Sequence, residues 1–264
     1  MILVKNETHS YFQFEALNRC KGIWHAVTTR HGGESGPPYA SLNLSHGVDD
    51  VPAVVTANRE RLHALTGGGV HLYSRQNHGT SIRVITRDVL DDSEMIQTVP
   101  DAADALITDV PGIFLLIQTA DCQAVMISDP RRRVVANVHC GWRGSVSGII
   151  GLTVKRMVDG FGCDPGDMVA AIGPSLGPCC AEFIHYQDEI PVNLWPFRVG
   201  EHHFDFWRIS RQQLVDAGLA HMHVHAAAIC TRCNPHLFFS YRAQRQTGRF
   251  AALIGMDTAD TSRN

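Results

Sequence analysis

The chain of 264 residues is 44% hydrophobic and 19% charged, a balance that excludes a disordered, fibrous or coiled-coil protein. Its net charge of −3, with 23 basic residues spread along the sequence, argues against nucleic-acid or membrane binding as the main purpose. No apolar run is long enough to span a bilayer and no secretory signal is visible, so we expect a cytoplasmic protein.

The first half of the chain begins with a helix and continues as a series of strands. The helix is predicted over 52–66, with Pro52 at its start and Gly67 after its end. Short apolar segments then predict strands over 70–74, 82–86, 105–108, 113–118, 124–128 and 134–139.

The second half contains the clearest helical pattern. Apolar residues at helical spacing predict one helix over 145–161, although Gly148 and Gly151 weaken its intrinsic propensity. A strand over 169–172, a helix over 209–217, an extended segment over 221–229 and a strand over 250–254 complete the chain. Clustered strands with interspersed helices predict an α+β fold with a mixed sheet, in a single domain spanning 1–264.

Fifteen histidines and eight cysteines are many for a cytosolic chain, where cysteines serve metals or catalysis more often than disulfides. Three of these residues, His78, Cys122 and His139, each lie at the end of an apolar, strand-like run. One thiolate and two imidazoles suit Zn²⁺, and three protein ligands leave the fourth position open, as in catalytic zinc sites. The alternative interpretation is that Cys122 is a small buried hydrophobe and that both histidines are hydrogen-bonded core residues.

These segments resemble the signatures of the YfiH-like family, the bacterial laccase-domain proteins also described as multicopper polyphenol oxidases or purine nucleoside phosphorylases. The resemblance covers about 28–254 and includes several motifs in one order. They are Thr29-Arg30-His31-Gly32-Gly33, Ser41-Leu42-Asn43-Leu44, Asn58-Arg59, Gln76-Asn77-His78-Gly79, Ala103-Asp104-Ala105-Leu106-Ile107-Thr108, Thr119-Ala120-Asp121-Cys122, His139-Cys140-Gly141-Trp142-Arg143-Gly144, Ile172-Gly173-Pro174-Ser175, Cys179-Cys180, Phe238-Phe239-Ser240-Tyr241-Arg242 and Thr247-Gly248-Arg249.

The resemblance implies mixed β-sheets with outer helices, in a fold similar to that of the cytotoxic-necrotizing-factor-like cysteine hydrolases. It also implies a metal site at His78, Cys122 and His139, usually described as zinc, with copper as the alternative. Cys140 replaces the usual Ala after the metal-binding His139, and Ala124 replaces a common Pro. Because neighbouring side chains in a strand point to opposite faces, we interpret Cys140 as a packing residue.

For function, the resemblance implies purine nucleoside metabolism. The family is described as phosphorolysing adenosine, inosine, guanosine and methylthioadenosine to the free base plus (methylthio)ribose 1-phosphate, and as deaminating adenosine to inosine. Its partners would be small purine nucleosides and phosphate, with the chain as a monomer or homodimer. Zinc can activate water for attack on C6 of adenine, whereas phosphorolysis needs cations that hold phosphate and balance developing charge.

Five arginines in the family motifs are candidates for holding an anion. Arg59, Arg143 and Arg242 are the stronger candidates, and Arg30 and Arg249 are weaker ones. A guanidinium group can bind phosphate through two parallel hydrogen bonds, which an ammonium group cannot. Each arginine could instead belong to a surface or core salt bridge.

Other polar residues of the motifs have candidate roles beside the metal. Asn43 and Gln76 are predicted to fix the ribose or the base through neutral hydrogen bonds. Asp121, next to Cys122, is predicted to orient a metal-bound imidazole or to act as a base. With Arg59 and Arg143, Cys122 and Asp121 form the predicted catalytic set.

Two further clusters carry weaker signals. Cys230 and Cys233 form a CxxC pair that, with Cys179 and Cys180, could complete a four-thiolate structural zinc site, but no second CxxC pair supports this. The histidines at 221, 223 and 225 would share one face of a strand, where a solvated surface is favoured over a metal site.

Two other activities remain open at this stage. A copper oxidase acting on phenols would need many histidines in His-x-His pairs, and the only such run is 221–225. A cysteine hydrolase would use Cys122 as nucleophile and His139 or His78 as base. The proposed peptidoglycan-precursor editing amidases fall in this hydrolase class.

Overall fold

The computed structural model describes residues 1–5, 10–90 and 94–257, and its strands form two sheets of mixed direction. Residues 258–264, which the single-domain prediction includes, lie outside the described residues. Within the described ranges the larger sheet has seven strands, in the spatial order β1 (Ile2–Lys5), β2 (Ser10–Gln13), β3 (Ile23–Thr28), β15 (Phe250–Met256), β8 (Ile113–Thr119), β4 (Val70–Arg75) and β6 (Ile96–Ala102). The described strands of the second sheet are, in order, β14 (Val224–Ala226), β11 (Val169–Ile172), β9 (Gln123–Asp129), β10 (Val134–Cys140), β7 (Ala105–Thr108) and β5 (Ile82–Ile85).

Helices lie outside the two sheets. The described α-helices are α1 (Glu15–Asn18), α2 (Pro52–Leu65), α3 (Trp142–Val146), α4 (Ile149–Phe161), α5 (Tyr186–Glu189) and α6 (Phe206–Asp216). Short 3₁₀ helices span Arg87–Val89, Val192–Phe197 and His221–His223, and a small ribbon pairs β12 (Arg198–Val199) with β13 (His203–Phe204). In this part of the chain we find no helix with the length and apolar composition needed to cross a membrane.

The sheets pack face to face, and each outer face is covered by helices. Alternate residues of β9 show the arrangement, because Ala124 and Met126 belong to the core between the sheets while Val125 and Ile127 pack beneath α4 and α6. On the opposite side, α2 packs through Leu62 against the outer face of the larger sheet. Strands buried on both faces explain the near-continuous apolar runs in the sequence. The predicted α+β fold with mixed sheets and outer helices is therefore confirmed.

One buried polar side chain fixes the two sheets to each other near the site described below. Asn137 in β10 is fully buried between the sheets. Its Nδ2 donates hydrogen bonds to the carbonyl oxygens of Leu115 and Ala252 in the larger sheet, each at 2.9 Å. Because His139 follows two residues later on the same face of β10, this link also sets the position of that imidazole.

Most predicted elements agree with the structure to within two residues at each end, but three do not. The helix predicted over 145–161 is two helices, because Gly148 adopts a left-handed conformation with φ of 72° between them. The last long helix begins at Phe206 rather than at 209, where the Asp205 carboxylate accepts the backbone N–H of Arg208 at 3.0 Å. Residues His221–His223 form a 3₁₀ helix, so the alternating histidines do not share one face of a strand.

Strands β1, β2, β3 and β6 have no counterpart in the sequence-based prediction. Strand β6 contains Pro100, which argues against a strand because proline cannot donate a ladder hydrogen bond. The structure places β6 at the edge of its sheet, where a missing donor is tolerated.

Candidate active site

Three chain segments converge at one end of the two sheets. Strands β4 and β8 are parallel neighbours, so the segments that follow them, which carry His78 and Cys122, leave the sheet at the same edge. Strand β9 starts directly after Cys122 and pairs with β10, bringing the thiol beside His139. The ligand atoms of His78, Cys122 and His139 all lie within 4.8 Å of one another. The two imidazole rings are 4.8 Å apart between centroids and inclined at 79°.

A buried carboxylate that the sequence-based reasoning did not assign, Asp104, holds this arrangement in place. Asp104 is fully buried, and its Oδ1 accepts a hydrogen bond from Nδ1–H of His139 at 2.7 Å and from the backbone N–H of His78 at 2.9 Å. Its Oδ2 accepts the N–H of Gly79 at 2.8 Å. A carboxylate bonded to Nδ1 leaves Nε2 of His139 available as a metal ligand, which is the usual arrangement behind zinc-binding histidines.

The ionisable groups of the cluster shift one another's pKa values. Burial raises the pKa of the Cys122 thiol, but the charge of His139 and hydrogen bonds from His139 and His78 outweigh it and lower the pKa to about 6. Burial lowers the pKa of His139, and Cys122 and Asp104 together outweigh that effect and raise it to about 9. Without a metal the pair is thus a thiolate beside an imidazolium. A metal ion would replace the imidazolium proton as the partner of the thiolate.

The backbone around the cluster leaves little space beside the ligands and includes residues with unusual dihedral angles. A Cβ added at Gly141 would lie 3.1 Å from both Sγ of Cys122 and Cδ2 of His78, so a larger residue here would press against both side chains. His78 and Asp121 have positive φ values of 63° and 94°, which cost non-glycine residues about 1–3 kcal/mol each and are concentrated at functional sites. The donor set, its spacing and its buried carboxylate together fit a zinc ion.

The cluster opens into a cavity of about 1400 Å³ with an excess of positive charge. Among the described residues its lining includes one carboxylate, Asp121. The same lining contains six arginines, namely Arg59, Arg75, Arg143, Arg242, Arg245 and Arg249. Within the described part of the chain none of these six forms an ion pair with a carboxylate within 4.0 Å. Their charge is therefore available to an anionic ligand.

The predicted anion-holding arginines occupy different depths of this cavity. Arg59 is buried, lies over the Tyr73 ring at 3.8 Å and donates from Nε to the carbonyl of Leu44 at 2.8 Å. Arg143 and Arg242 are exposed at the cavity mouth. Burial lowers the pKa of Arg249, and the nearby Cys122 and Asp121 oppose this effect.

Arg30, the other weaker candidate, is a structural residue. Its Nε donates to the carbonyl of Ala40 and its Nη1 to the carbonyl of Pro235, each at 2.8 Å, and its guanidinium lies over the Phe239 ring. It is not part of the cavity lining, so the prediction that it holds an anion is corrected.

The prediction that Asn43 contacts the substrate is also corrected. Asn43 is fully buried outside the cavity lining. Its amide nitrogen donates to Asp50 at 2.9 Å, and its Oδ1 accepts the N–H groups of Ser45 and Arg249 at 3.1 and 2.9 Å. The amide polarity that suggested ligand binding is thus used to fold the surrounding loop.

Gln76 and Asp121 both line the cavity, but each already has protein partners. Gln76 exchanges two hydrogen bonds with the backbone of Gln118, at 2.7 and 2.9 Å. Asp121 accepts the Thr231 hydroxyl at 2.7 Å and the backbone N–H of Arg242 at 2.6 Å. The carboxylate that orients an imidazole in this structure is Asp104, and Asp121 instead ties two loops to the cavity wall.

The remaining wall combines aromatic rings with unpaired polar atoms. Trp142 and Phe183 meet edge to face with 5.8 Å between ring centroids, and Phe206 lies 5.4 Å from Phe183. Thr119 and Gln123 belong to the cavity lining, but the Thr119 hydroxyl and the Nε2 of Gln123 are themselves buried and have no hydrogen-bond partner in the described part of the chain. The aromatic rings offer apolar surface to a flat ring system.

Cys140 lies next to His139 on the opposite face of β10. It is buried against the apolar residues beneath α4, and burial raises its pKa to about 12. The interpretation of Cys140 as a packing residue is therefore confirmed.

Comparison with known proteins gives matches along most of the chain. Residues 24–257 match the family model described as multi-copper polyphenol oxidoreductase laccase. The chain is 34% identical over 245 residues to the purine nucleoside phosphorylase YlmD of Geobacillus stearothermophilus, covering 87% of this chain and 88% of that protein. It is 35% identical over 242 residues to a purine nucleoside phosphorylase of Deinococcus radiodurans, covering 88% of each.

Solved structures show the same fold. The crystal structure of the hypothetical protein YfiH of Bacillus licheniformis superposes with a TM-score of 0.86 at 29% identity, covering 97% of this chain and 99% of that one. The crystal structure of YlmD from Geobacillus stearothermophilus gives a TM-score of 0.82 at 30% identity, with the same coverage of both chains.

Proposed function

Because the chain belongs to the family described as multi-copper polyphenol oxidoreductase laccase, whose curated relatives above are named purine nucleoside phosphorylases, we propose that it is a zinc-dependent purine nucleoside phosphorylase. The observation that carries the proposal is the joining of three features in one cavity. They are a three-ligand metal cluster with an open side, six arginines against one carboxylate, and an aromatic wall. These features suit phosphorolysis, because the reaction must hold a dianion, bind a purine and balance charge as the glycosidic bond breaks.

The arginines at the cavity mouth would bind phosphate. Arg143 and Arg242 lie on separate segments that both face the cavity, and the buried Arg59 adds a positive charge deeper inside. Holding the phosphate dianion against C1′ of the nucleoside converts a bimolecular attack into an effectively intramolecular one. As the phosphate oxygen bonds to C1′, the bond from C1′ to the purine nitrogen breaks. The surrounding guanidinium groups then stabilise the charge that develops.

The metal cluster and the apolar wall would bind the nucleoside. A bound zinc ion would supply a Lewis acid at the cavity wall. Cys122, His78 and His139 would hold it, and Asp104 would keep the proton of His139 on Nδ1. Trp142 and Phe183 offer ring surfaces for the purine.

The substrate range proposed for the cavity is adenosine, inosine, guanosine and methylthioadenosine, with deamination of adenosine to inosine as a second reaction. A volume of about 1400 Å³ exceeds the usual range of ligand pockets, roughly 300–1,000 Å³, so a nucleoside with a bulky 5′ group can enter together with phosphate. A Lewis acid that activates water supports deamination at the same place.

A coupled assay tests the proposal directly. Zinc-replete protein is incubated with inosine or adenosine, with and without phosphate, and the products are separated by chromatography. We expect free base and ribose 1-phosphate to appear only with phosphate, and inosine to form from adenosine without it. If no base is released at any phosphate concentration, the phosphorylase proposal is wrong.

A cysteine hydrolase is the second candidate, and one observation favours it. Cys122, His139 and Asp104 form a connected series of thiolate, imidazole and carboxylate, which is also the arrangement of nucleophile, base and orienting group. The two candidates differ in what zinc does. A thiolate that binds zinc is shielded from iodoacetamide, so rapid alkylation of Cys122 under saturating zinc would favour the hydrolase.

Copper oxidase chemistry, which the family description names, is not our proposal. In the described part of the chain two groups of side chains have metal-binding geometry, one with two histidines and a cysteine and one with four cysteines. Neither supplies the histidine pairs that a cluster of several copper ions requires. An intense copper–thiolate absorption band together with phenol oxidation would overturn this assignment.

A further inference from the structure

Four cysteines outside the cavity lining converge at the surface. Cys179 and Cys180 follow β11, whereas Cys230 and Cys233 lie in the loop after β14. Their four sulfur atoms lie within 4.8 Å of one another. Cys180 and Cys230 are 7% and 6% exposed, and Cys179 and Cys233 face solvent. A cluster of this kind brings together residues about fifty positions apart, so the fold itself creates it.

The spacing of the sulfur atoms fits a shared metal ion. The Sγ of Cys233 is 3.6 Å from Sγ of Cys179 and 3.6 Å from Sγ of Cys180. Four thiolates at zinc–sulfur distances of about 2.3 Å in a tetrahedron are about 3.8 Å apart. A disulfide would instead need about 2.05 Å, and all four cysteines are free.

Backbone hydrogen bonds hold the two segments that carry the cysteines next to each other. Ser175 and Cys230 form an isolated parallel bridge, in which Ser175 N–H donates to Ile229 at 3.2 Å and Thr231 N–H donates to Ser175 at 3.1 Å. Gly177 also lies against this cluster, because a Cβ added there would be 3.1 Å from Cβ of Cys230.

We propose that Cys179, Cys180, Cys230 and Cys233 bind a structural zinc ion, separate from the cluster of His78, Cys122 and His139. Four protein ligands complete a tetrahedral coordination shell and leave no position for substrate, which distinguishes structural from catalytic zinc. Binding displaces the thiol protons into solvent and changes no oxidation state.

The proposed ion would brace one wall of the cavity. Thr231, within the CxxC loop, donates its hydroxyl to Asp121 at 2.7 Å, and the backbone N–H of Leu176 donates to the carbonyl of Asp121 at 2.8 Å. Two of the segments that meet Asp121 are thus neighbours of the cluster cysteines along the chain. The zinc would hold these two loops together, while the chemistry in the cavity proceeds on other residues.

Zinc content measured on purified full-length variants tests the proposal, with no need for an activity assay. The variants are Cys230→Ser/Cys233→Ser, His78→Ala/Cys122→Ser, and Cys20→Ser as a control cysteine outside both clusters. We expect two zinc ions per chain in the wild type and in Cys20→Ser, and one in each double variant. A wild-type content of one zinc that Cys230→Ser/Cys233→Ser leaves unchanged would overturn the proposal, and so would iron in place of zinc.

A second measurement on the wild-type chain covers the case in which the double variant does not fold. The native protein is alkylated with and without prior removal of metal by a chelator, and the modified cysteines are identified by mass spectrometry. We expect Cys179 and Cys233, although exposed, to react slowly with zinc bound and at least about tenfold faster after chelation. Equal rates in both states, or a disulfide joining Cys233 to Cys179 or Cys180, would overturn the proposal. Because no nucleoside enters either experiment, the result is independent of the proposed phosphorylase activity.

Discussion

The two clusters of potential metal ligands both contain thiols but differ in their other ligands and in their surroundings. The first has two imidazoles and one thiol, opens into a cavity and is surrounded by arginines. The second has four thiols and lies outside the cavity lining. The number of protein ligands separates them, because three leave a coordination position for substrate and four do not. Coordination number and surroundings, rather than the presence of cysteine, therefore indicate which cluster performs chemistry.

Single substitutions in the two clusters should differ in their effects: one should mainly lower activity, and the other should mainly lower stability. Cys122→Ser should lower kcat/KM by about 10²–10³-fold, since it removes an anionic ligand that faces the cavity, with little change in unfolding free energy. Cys230→Ser should lower the unfolding free energy by at least about 2 kcal/mol, because metal binding at a structural site is coupled to folding. Steady-state kinetics and denaturant unfolding on both variants measure the difference. A Cys230→Ser variant that is stable but inactive would contradict this separation.

The next test concerns Asp104, the buried carboxylate that accepts a hydrogen bond from His139. Among the described residues, no carboxylate has this role in the four-cysteine cluster. Asp104→Asn replaces an oxygen that accepts the Gly79 N–H with a group that can present N–H instead. We expect zinc affinity at the open cluster to fall about 10–100-fold, the usual effect of losing a carboxylate behind a metal-binding histidine. Competition with a chromophoric chelator measures it. Asp121→Asn is the matched control and should leave zinc affinity unchanged, since Asp121 is bonded to Thr231 and Arg242.

The sequence predicted the strands near the site well, because apolar runs buried on both faces have few alternative structures. The three ligands were proposed from their residue types and their places at strand ends, and the family resemblance then supported them, since their separation along the chain gives no spacing signal. Asp104 was missed because it lies within an apolar motif, 35 positions from its partner His139. Asn43 was misassigned because a polar side chain in a motif can serve the loop as well as a ligand. The four-cysteine cluster depends on the parallel bridge between Ser175 and Cys230, which no local pattern encodes.

Removing a positive charge from the cavity mouth should raise the KM for phosphate more than the KM for the nucleoside. Arg242→Ala deletes one of the guanidinium groups that no described carboxylate neutralises, and charge-assisted hydrogen bonds of about 1.5–3 kcal/mol would be lost. We expect KM for phosphate to rise at least about tenfold, with a smaller rise in KM for inosine. Arg156→Ala, an exposed arginine of α4 outside the cavity lining, is the control. If both Michaelis constants rise equally, Arg242 shapes the cavity and does not bind phosphate.

The smallest effect is expected at Cys140, which tests whether a thiol beside a metal ligand must itself bind metal. Its neighbour His139 faces the core between the sheets, and Cys140 packs on the other face beneath α4. Cys140→Ala removes only a buried sulfur, so unfolding free energy should fall by about 1 kcal/mol while zinc content and kcat stay within error of the wild type. Calorimetry, metal analysis and kinetics on one preparation measure all three. Loss of zinc would mean that β10 can turn both side chains toward one ion, and the assignment of ligands by strand face would fail with it.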